Sequence, residues 1–89
     1  MSQYDALEDH LRANTTDSVT MTLAQLGAIV KLPAAAKRHA FWWSNEDMKT
    51  TVHAQSRAWQ AAGYEAHPNL RGKTVTFRRK PGPAPLEAE

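Results

Sequence analysis

The sequence predicts a single α+β domain of three to four helices and a small antiparallel β-sheet. Apolar residues recur at the three- and four-residue spacing of a helix near the start, at Tyr4, Leu7 and Leu11. Residues 74–78 alternate β-forming side chains, and a charged turn with one glycine at residues 70–73 precedes them. A chain of 89 residues is long enough for one domain.

The first half of the chain is predicted to hold two helices separated by a short strand. Residues 4–13 form an amphipathic helix, and residues 19–21 favour a strand. Thr22 is followed three residues later by Gln25, which is the spacing of a capping box at a helix start. Pro33 ends this second helix, because the residue before a proline is disfavoured in helical geometry.

The last helix is predicted over residues 51–62, and Gly63 follows it as a left-handed C-cap. Residues 34–41, which precede it, are compatible with another helix. The threonine pair at residues 50–51 is preferred as the N-cap, and Asn45 is the alternative.

Residues 64–70 and 74–78 are predicted to pair as a hairpin with a basic tip, and the short strand at residues 19–21 adds a third strand. This order of elements is that of a winged helix-turn-helix domain, in which the last helix reads DNA and the hairpin is the wing. The Pro-rich residues 81–89 favour neither helix nor central strand, so a disordered tail is expected there after a domain at residues 1–80.

Charge is unevenly distributed along the chain, although the net charge is only +2. Residues 1–30 carry four acidic residues and one arginine, whereas residues 31–80 carry ten basic and three acidic residues. Such a basic body attracts a polyanion, and nucleic-acid phosphate is the first candidate. A purely solubilising role for these charges is the alternative.

The last predicted helix has one face of small residues and one polar face without an acidic residue, which suits a helix that reads the major groove. Arg57 could bind guanine, and Gln60 or Gln55 could bind adenine. The turn residues Arg71 and Lys73 suit contact with phosphate or with the minor groove. The predicted DNA-contacting residues are Lys37, Arg38, Lys49, His53, Ser56, Arg57, Gln60, Arg71, Lys73 and Arg78. An ordinary amphipathic helix with a solvated face fits the same pattern.

The adjacent Trp42 and Trp43 cannot both be buried on one side of a helix, so one is predicted to lie in the core. The other covers the hairpin or is partly exposed, and burial of both in the core is the alternative. Together with Asn45, which is expected to cap a helix or fix a turn, they are the candidate contacts for a protein partner. The large residues expected in the core are Phe41, Trp42, Trp43, Trp59, Tyr64 and Phe77, with Leu7, Leu11, Leu23, Leu26, Ile29 and Val30.

Enzymatic and metal chemistry are not indicated. The chain has no cysteine, and its four histidines are scattered without the spacing of metal ligands. Glu46 and Asp47 beside His53 suggest a nuclease site, but an acidic first turn of a helix explains them more simply. We therefore expect no catalysis, no cofactor and no small-molecule substrate.

No apolar run approaches the ~20 residues that cross a bilayer, and residues 1–5 lack the features of a secretion signal. A cytoplasmic protein without membrane contact is expected. A lone recognition helix covers only a few base pairs, so specific binding would favour a dimer, but the sequence shows no dimerisation helix. A monomer or weak homodimer is therefore expected.

Several short motifs of this chain resemble a family of small bacterial and phage domains of unknown function, which share a WWxN…AWxxAGW signature. The resemblance covers about residues 4–79. The matching motifs are Tyr4-Asp5-x-Leu7, Thr20-x-Thr22-x-x-x-Leu26, Leu32-Pro33-x-x-Ala36, Trp42-Trp43-x-Asn45 and His53-x-Gln55-x-Arg57-Ala58-Trp59-x-x-Ala62-Gly63-Tyr64. The chain departs from the pattern in a longer spacing between Asn45 and His53, and in Tyr64 where a tryptophan is usual.

This resemblance implies no particular activity, so the predicted function depends on the residues. We expect a regulatory protein that binds double-stranded DNA. The main alternative is a protein-interaction module, such as an adaptor or a phage-type inhibitor of a host nucleic-acid-guided defence complex. An RNA-binding winged helix is a third possibility.

Overall fold

The computed structural model describes residues 3–80, which fold as an α+β domain and confirm the predicted class. The helices of this region are α1 (Asp5–Arg12), α2 (Leu23–Ile29), α3 (Ala34–Arg38) and α4 (Ala54–Ala61), with a 3₁₀ turn at Ala40–Trp43. The strands are β1 (Ser18–Thr22), β2 (Tyr64–Asn69) and β3 (Thr74–Arg79). The tail predicted at residues 81–89 lies outside the described residues.

The three strands form one antiparallel sheet with β3 in the centre, in the order β1-β3-β2. The expected third strand is therefore present. Along β3, Val75 and Phe77 are buried under the helices, whereas Thr76 between them faces away from the core. On that outer face the hydroxyls of Thr20 and Thr76 lie 2.8 Å apart across the β1–β3 pair.

Local signals place several helix ends as predicted, but two predicted ends are wrong. Helix α2 ends at Ile29, four residues before Pro33, because Val30 already has an extended backbone, and α3 ends at Arg38 instead of residue 41. Thr22 and Gln25 form the capping box at the start of α2, and Gly63 has the expected positive φ of 93° after α4. The predicted start of the last helix near residue 51 is wrong, because α4 begins at Ala54. The N–H of Thr51 donates to the carbonyl of Asp47 at 2.8 Å, so residue 51 closes an isolated turn instead of starting the helix.

The core is centred on stacked tryptophans. The rings of Trp43 and Trp59 lie 5.5 Å apart at an angle of 26°, and Phe77 lies 6.2 Å from Trp59. Trp43 is the buried member of the tryptophan pair, while Trp42 is half-buried with its ring 5.8 Å from that of Tyr4.

Phe41 was expected in the core, and this prediction is wrong, because the residue is 70% exposed. It lies in the 3₁₀ turn, where residues two positions apart point in different directions. Since Trp43 is directed into the core, the same turn directs Phe41 to solvent.

Candidate nucleic-acid interface

Helix α4 presents less of its polar side to solvent than the sequence predicts. Ser56 and Gln60 are only 1% and 9% exposed, so the prediction that they face outward is wrong. The Gln60 amide donates to the Glu46 carbonyl at 2.6 Å and to the Ser56 hydroxyl at 2.9 Å. That hydroxyl in turn accepts from the N–H of Glu46 at 3.1 Å. Both side chains therefore anchor the irregular segment at residues 44–53 and are not available to a duplex.

Arg57 is the one predicted contact within α4 that remains exposed. One of its guanidinium nitrogens donates to the Thr51 carbonyl at 3.0 Å, which fixes the side chain near the start of the helix. Lys49 and His53 are also exposed, but they lie on the same segment as Glu46 and Asp47. Arg57 is therefore the residue of α4 best placed to reach a base edge.

Glu46 joins two side chains at the start of α4. Its carboxylate accepts hydrogen bonds from the Thr51 hydroxyl and from Nδ1 of His53, the latter at 2.8 Å. The Thr51 bond first, and the His53 contact second, lower the pKa of Glu46. The expected acidic first turn of a helix is wrong for Glu46 and Asp47, because both precede α4 in irregular structure.

Glu46→Gln is expected to weaken the acid dependence of folding. Because the folded pKa of Glu46 is lowered, its stabilisation is complete above the unfolded value of 4.5 and is lost as pH falls through the folded pKa. Urea unfolding at pH 7, 5 and 3 measures this effect. The free energy of unfolding should be larger for wild type than for the variant at pH 7, and this difference should be smaller at pH 3. Glu65→Gln on β2 is the matched control, and an equal change in both variants would contradict the assignment.

The tip of the β2–β3 hairpin carries exposed Arg71 and Lys73. The tip is held in place, because the Lys73 carbonyl accepts from the N–H of Leu23 at the start of α2, at 2.9 Å. Lys73 has a φ of 58°, in the left-handed region. It lines the same groove as Lys37 in the last turn of α3, where Arg38 is also exposed. The structure therefore brings Lys37 of α3 and Lys73 of the tip to one groove, whereas Arg38 and Arg71 do not line it.

The remaining basic residues of the last strand are separated from this tip. Arg78 is exposed, but it pairs in register with Glu65 and lies about 14 Å along the strand from Thr74. Arg79 has its guanidinium carbon 4.8 Å from the centroid of the Tyr64 ring. Lys80 donates to Gln60 at 3.2 Å. Arg79 and Lys80 therefore have structural contacts within the domain.

The predicted partner contacts Trp42, Trp43 and Asn45 lie in or next to the core. Trp43 donates its indole N–H to a backbone carbonyl of α3 at 2.8 Å. Asn45 accepts at 2.8 Å from both the Trp59 indole and the Ala66 N–H, and it donates to the Ala66 carbonyl at 2.9 Å. The expected helix cap at Asn45 is wrong, because its side chain binds the edge of β2.

Within residues 3–80, no group of three or more His, Asp or Glu side chains is arranged to hold a metal ion. In the same part of the chain, every helix is too short or too polar to cross a membrane.

These features define a small α+β domain with a basic hairpin tip, in which α4 precedes the hairpin in sequence and packs against β2. Residues 4–81 match a domain of unknown function, DUF7662, and the chain belongs to this family. The resemblance to a small family of unknown function is thereby confirmed. No curated protein and no solved structure matches the chain.

Proposed function

We propose that this chain is a winged helix-turn-helix domain that binds double-stranded DNA, chiefly through the phosphate backbone. The observation that carries the proposal is the basic hairpin tip, held beside the start of α2 and facing one groove with the lysine of α3. The strand order β1-β3-β2, with α4 leading directly into the hairpin, supports a winged arrangement.

Phosphate contacts come from two places in this proposal. Arg71 and Lys73 of the tip bind one stretch of backbone, and Lys37 and Arg38 of α3 bind another. All four side chains are exposed, and the turn at residues 70–73 contains no acidic residue that would repel phosphate.

Base reading is expected to be weak. Arg57 can bind a guanine edge with two hydrogen bonds, but Ser56 and Gln60 are occupied with residues 44–53. A single base-reading arginine supplies little discrimination between sequences. We therefore propose a domain that favours duplex DNA in general over a defined operator.

Fluorescence anisotropy with a labelled 20-base-pair duplex of random sequence tests this proposal. Four phosphate-contacting cations give a slope of log K against log salt of about −3.6. Affinity should therefore fall about 150-fold between 50 and 200 mM salt. A matching RNA duplex should compete poorly. Absence of binding at 50 mM salt, or binding that salt does not change, would contradict DNA binding.

A protein-interaction module is the second candidate, and one observation favours it. Phe41 is 70% exposed next to the half-buried Trp42, and Val52 is 87% exposed. Contiguous exposed apolar patches mark sites where a partner docks, and the neighbouring Phe41 and Trp42 would contribute to such a patch. Phe41→Ser should leave duplex affinity unchanged if DNA is the ligand, whereas absence of duplex binding by the wild-type chain at 50 mM salt would favour the protein-interaction module.

A further inference from the structure

An open groove of about 550 Å³ lies between α2, α3 and the tip of the β2–β3 hairpin. Its apolar lining comes from Leu23, Leu32 and Leu70, which belong to three different parts of the chain. The volume is within the range of about 300–1,000 Å³ that small-molecule sites occupy. The groove is therefore large enough for a ligand of about a dozen heavy atoms.

Three lysines surround this apolar lining. Lys31 follows α2, Lys37 lies in the last turn of α3, and Lys73 lies at the hairpin tip. No acidic residue lines the groove. Within residues 3–80 none of the three ammonium groups makes a hydrogen bond or an ion pair, so their charge is uncompensated there. The positive charge of the groove is therefore complementary to an anion.

Gly27 is the second, independent observation. It lies in the interior of α2, where glycine is unfavourable for a helix, and it lines the groove. A Cβ at this position would meet nothing within 4 Å, and Gly27 has no positive φ. Neither packing nor backbone geometry requires a glycine, and a side chain here would project into open space at the groove. The glycine leaves this part of the groove, its floor, open.

We propose that this groove binds a small amphipathic anion, with an apolar body over Gly27 and an acidic head group held by the lysines. The apolar body contacts Leu23, Leu32 and Leu70. A carboxylate or a phosphate monoester has the required charge. This site goes beyond the proposed DNA binding, but shares Lys37 and Lys73 with it, so the bound anion competes with DNA phosphate.

A titration of the full chain followed by ¹H–¹⁵N NMR, without DNA, tests the site separately from DNA binding. Decanoate and decyl phosphate are the probes, and 1-decanol is the uncharged match. We expect saturable changes in the amide chemical shifts of Gly27 and Leu70. A ligand of about twelve heavy atoms has enough binding energy for a Kd near or below about 1 mM. Comparison of the two anions distinguishes carboxylate from phosphate as the preferred head group.

Two variants test separately the contribution of the lysine charges and of the open space at Gly27 to ligand binding. Lys31→Gln with Lys37→Gln should weaken decanoate about tenfold or more, whereas Lys49→Gln, outside the groove, should have no effect. Gly27→Leu should abolish binding by filling the floor while raising the melting temperature, because leucine is the better helix former. Loss of binding in this variant cannot then be attributed to unfolding.

Three outcomes would overturn the proposal. Equal binding of 1-decanol and decanoate would show that the lysines do not select an anion. Binding that survives Gly27→Leu would place the ligand elsewhere. Shifts with an acidic Leu-Glu-Ala-Glu peptide but with neither decyl anion would assign the groove to a peptide partner.

Discussion

Replacing Asn45 with alanine is expected to lower the free energy of unfolding by about 3 kcal/mol. The Asn45 oxygen accepts from the fully buried Trp59 indole and from the Ala66 N–H, and its amide donates to the Ala66 carbonyl. Alanine leaves the indole N–H without its acceptor, and an unsatisfied buried donor costs about 1–3 kcal/mol by itself. Urea unfolding monitored by tryptophan fluorescence measures the change.

Ser44→Ala is the matched control, since Ser44 is the preceding residue and its hydroxyl donates only to the carbonyl of exposed Phe41, at 2.6 Å. This variant should lose less than about 1 kcal/mol. Asn45→Asp should fall between the two, because it keeps the acceptor for Trp59 and loses the donor to Ala66. A loss in Asn45→Ala no larger than that in Ser44→Ala would show that water replaces these bonds.

The same contacts explain what the family resemblance predicted and what it did not. Trp43, Asn45 and Trp59 belong to the shared signature, and all three contribute to the hydrogen bonds or ring stacking that join α4 to β2 and α3. Tyr64, in place of the usual tryptophan, donates its hydroxyl to the Thr16 carbonyl at 2.7 Å and so connects the helix end to the loop before β1. The signature therefore describes the core and carries no information about a ligand.

Sequence predicted those features of the fold that depend on neighbouring residues. The capping box of Thr22 and Gln25 involves positions three apart, and the left-handed Gly63 follows directly from the end of a helical pattern. Alternation along residues 74–78 similarly predicted a strand, and β3 spans Thr74–Arg79.

The orientation of the polar side of α4 could not be predicted in this way. Gln60 and Ser56 are buried because their partner is the backbone of Glu46, fourteen and ten residues earlier. Helical periodicity reports which residues share a face, but an irregular segment that covers that face has no period. The groove between α2, α3 and the hairpin tip could not be predicted either. Lys31, Lys37 and Lys73 are distant in sequence and line one groove only in the folded chain.

Neutralising the hairpin tip, by Arg71→Gln together with Lys73→Asn, is expected to weaken duplex binding roughly 100-fold at 50 mM salt. Each phosphate contact contributes about 0.9 to the slope of log K against log salt, so the slope should become shallower by about 1.8. Asparagine is chosen at position 73 because the φ of 58° there is tolerated by asparagine better than by most residues. Anisotropy titrations between 50 and 200 mM salt measure both quantities.

The matched control removes the same two charges elsewhere, by Arg12→Gln on α1 and Lys49→Gln before α4. Arg12 forms an ion pair with Glu8 at 2.8 Å, and Lys49 lies beside Asp47, so neither belongs to the proposed surface. The control should therefore keep most of the wild-type slope. Equal slopes in the two double variants would mean that net charge alone governs binding, and the hairpin would then not be a wing.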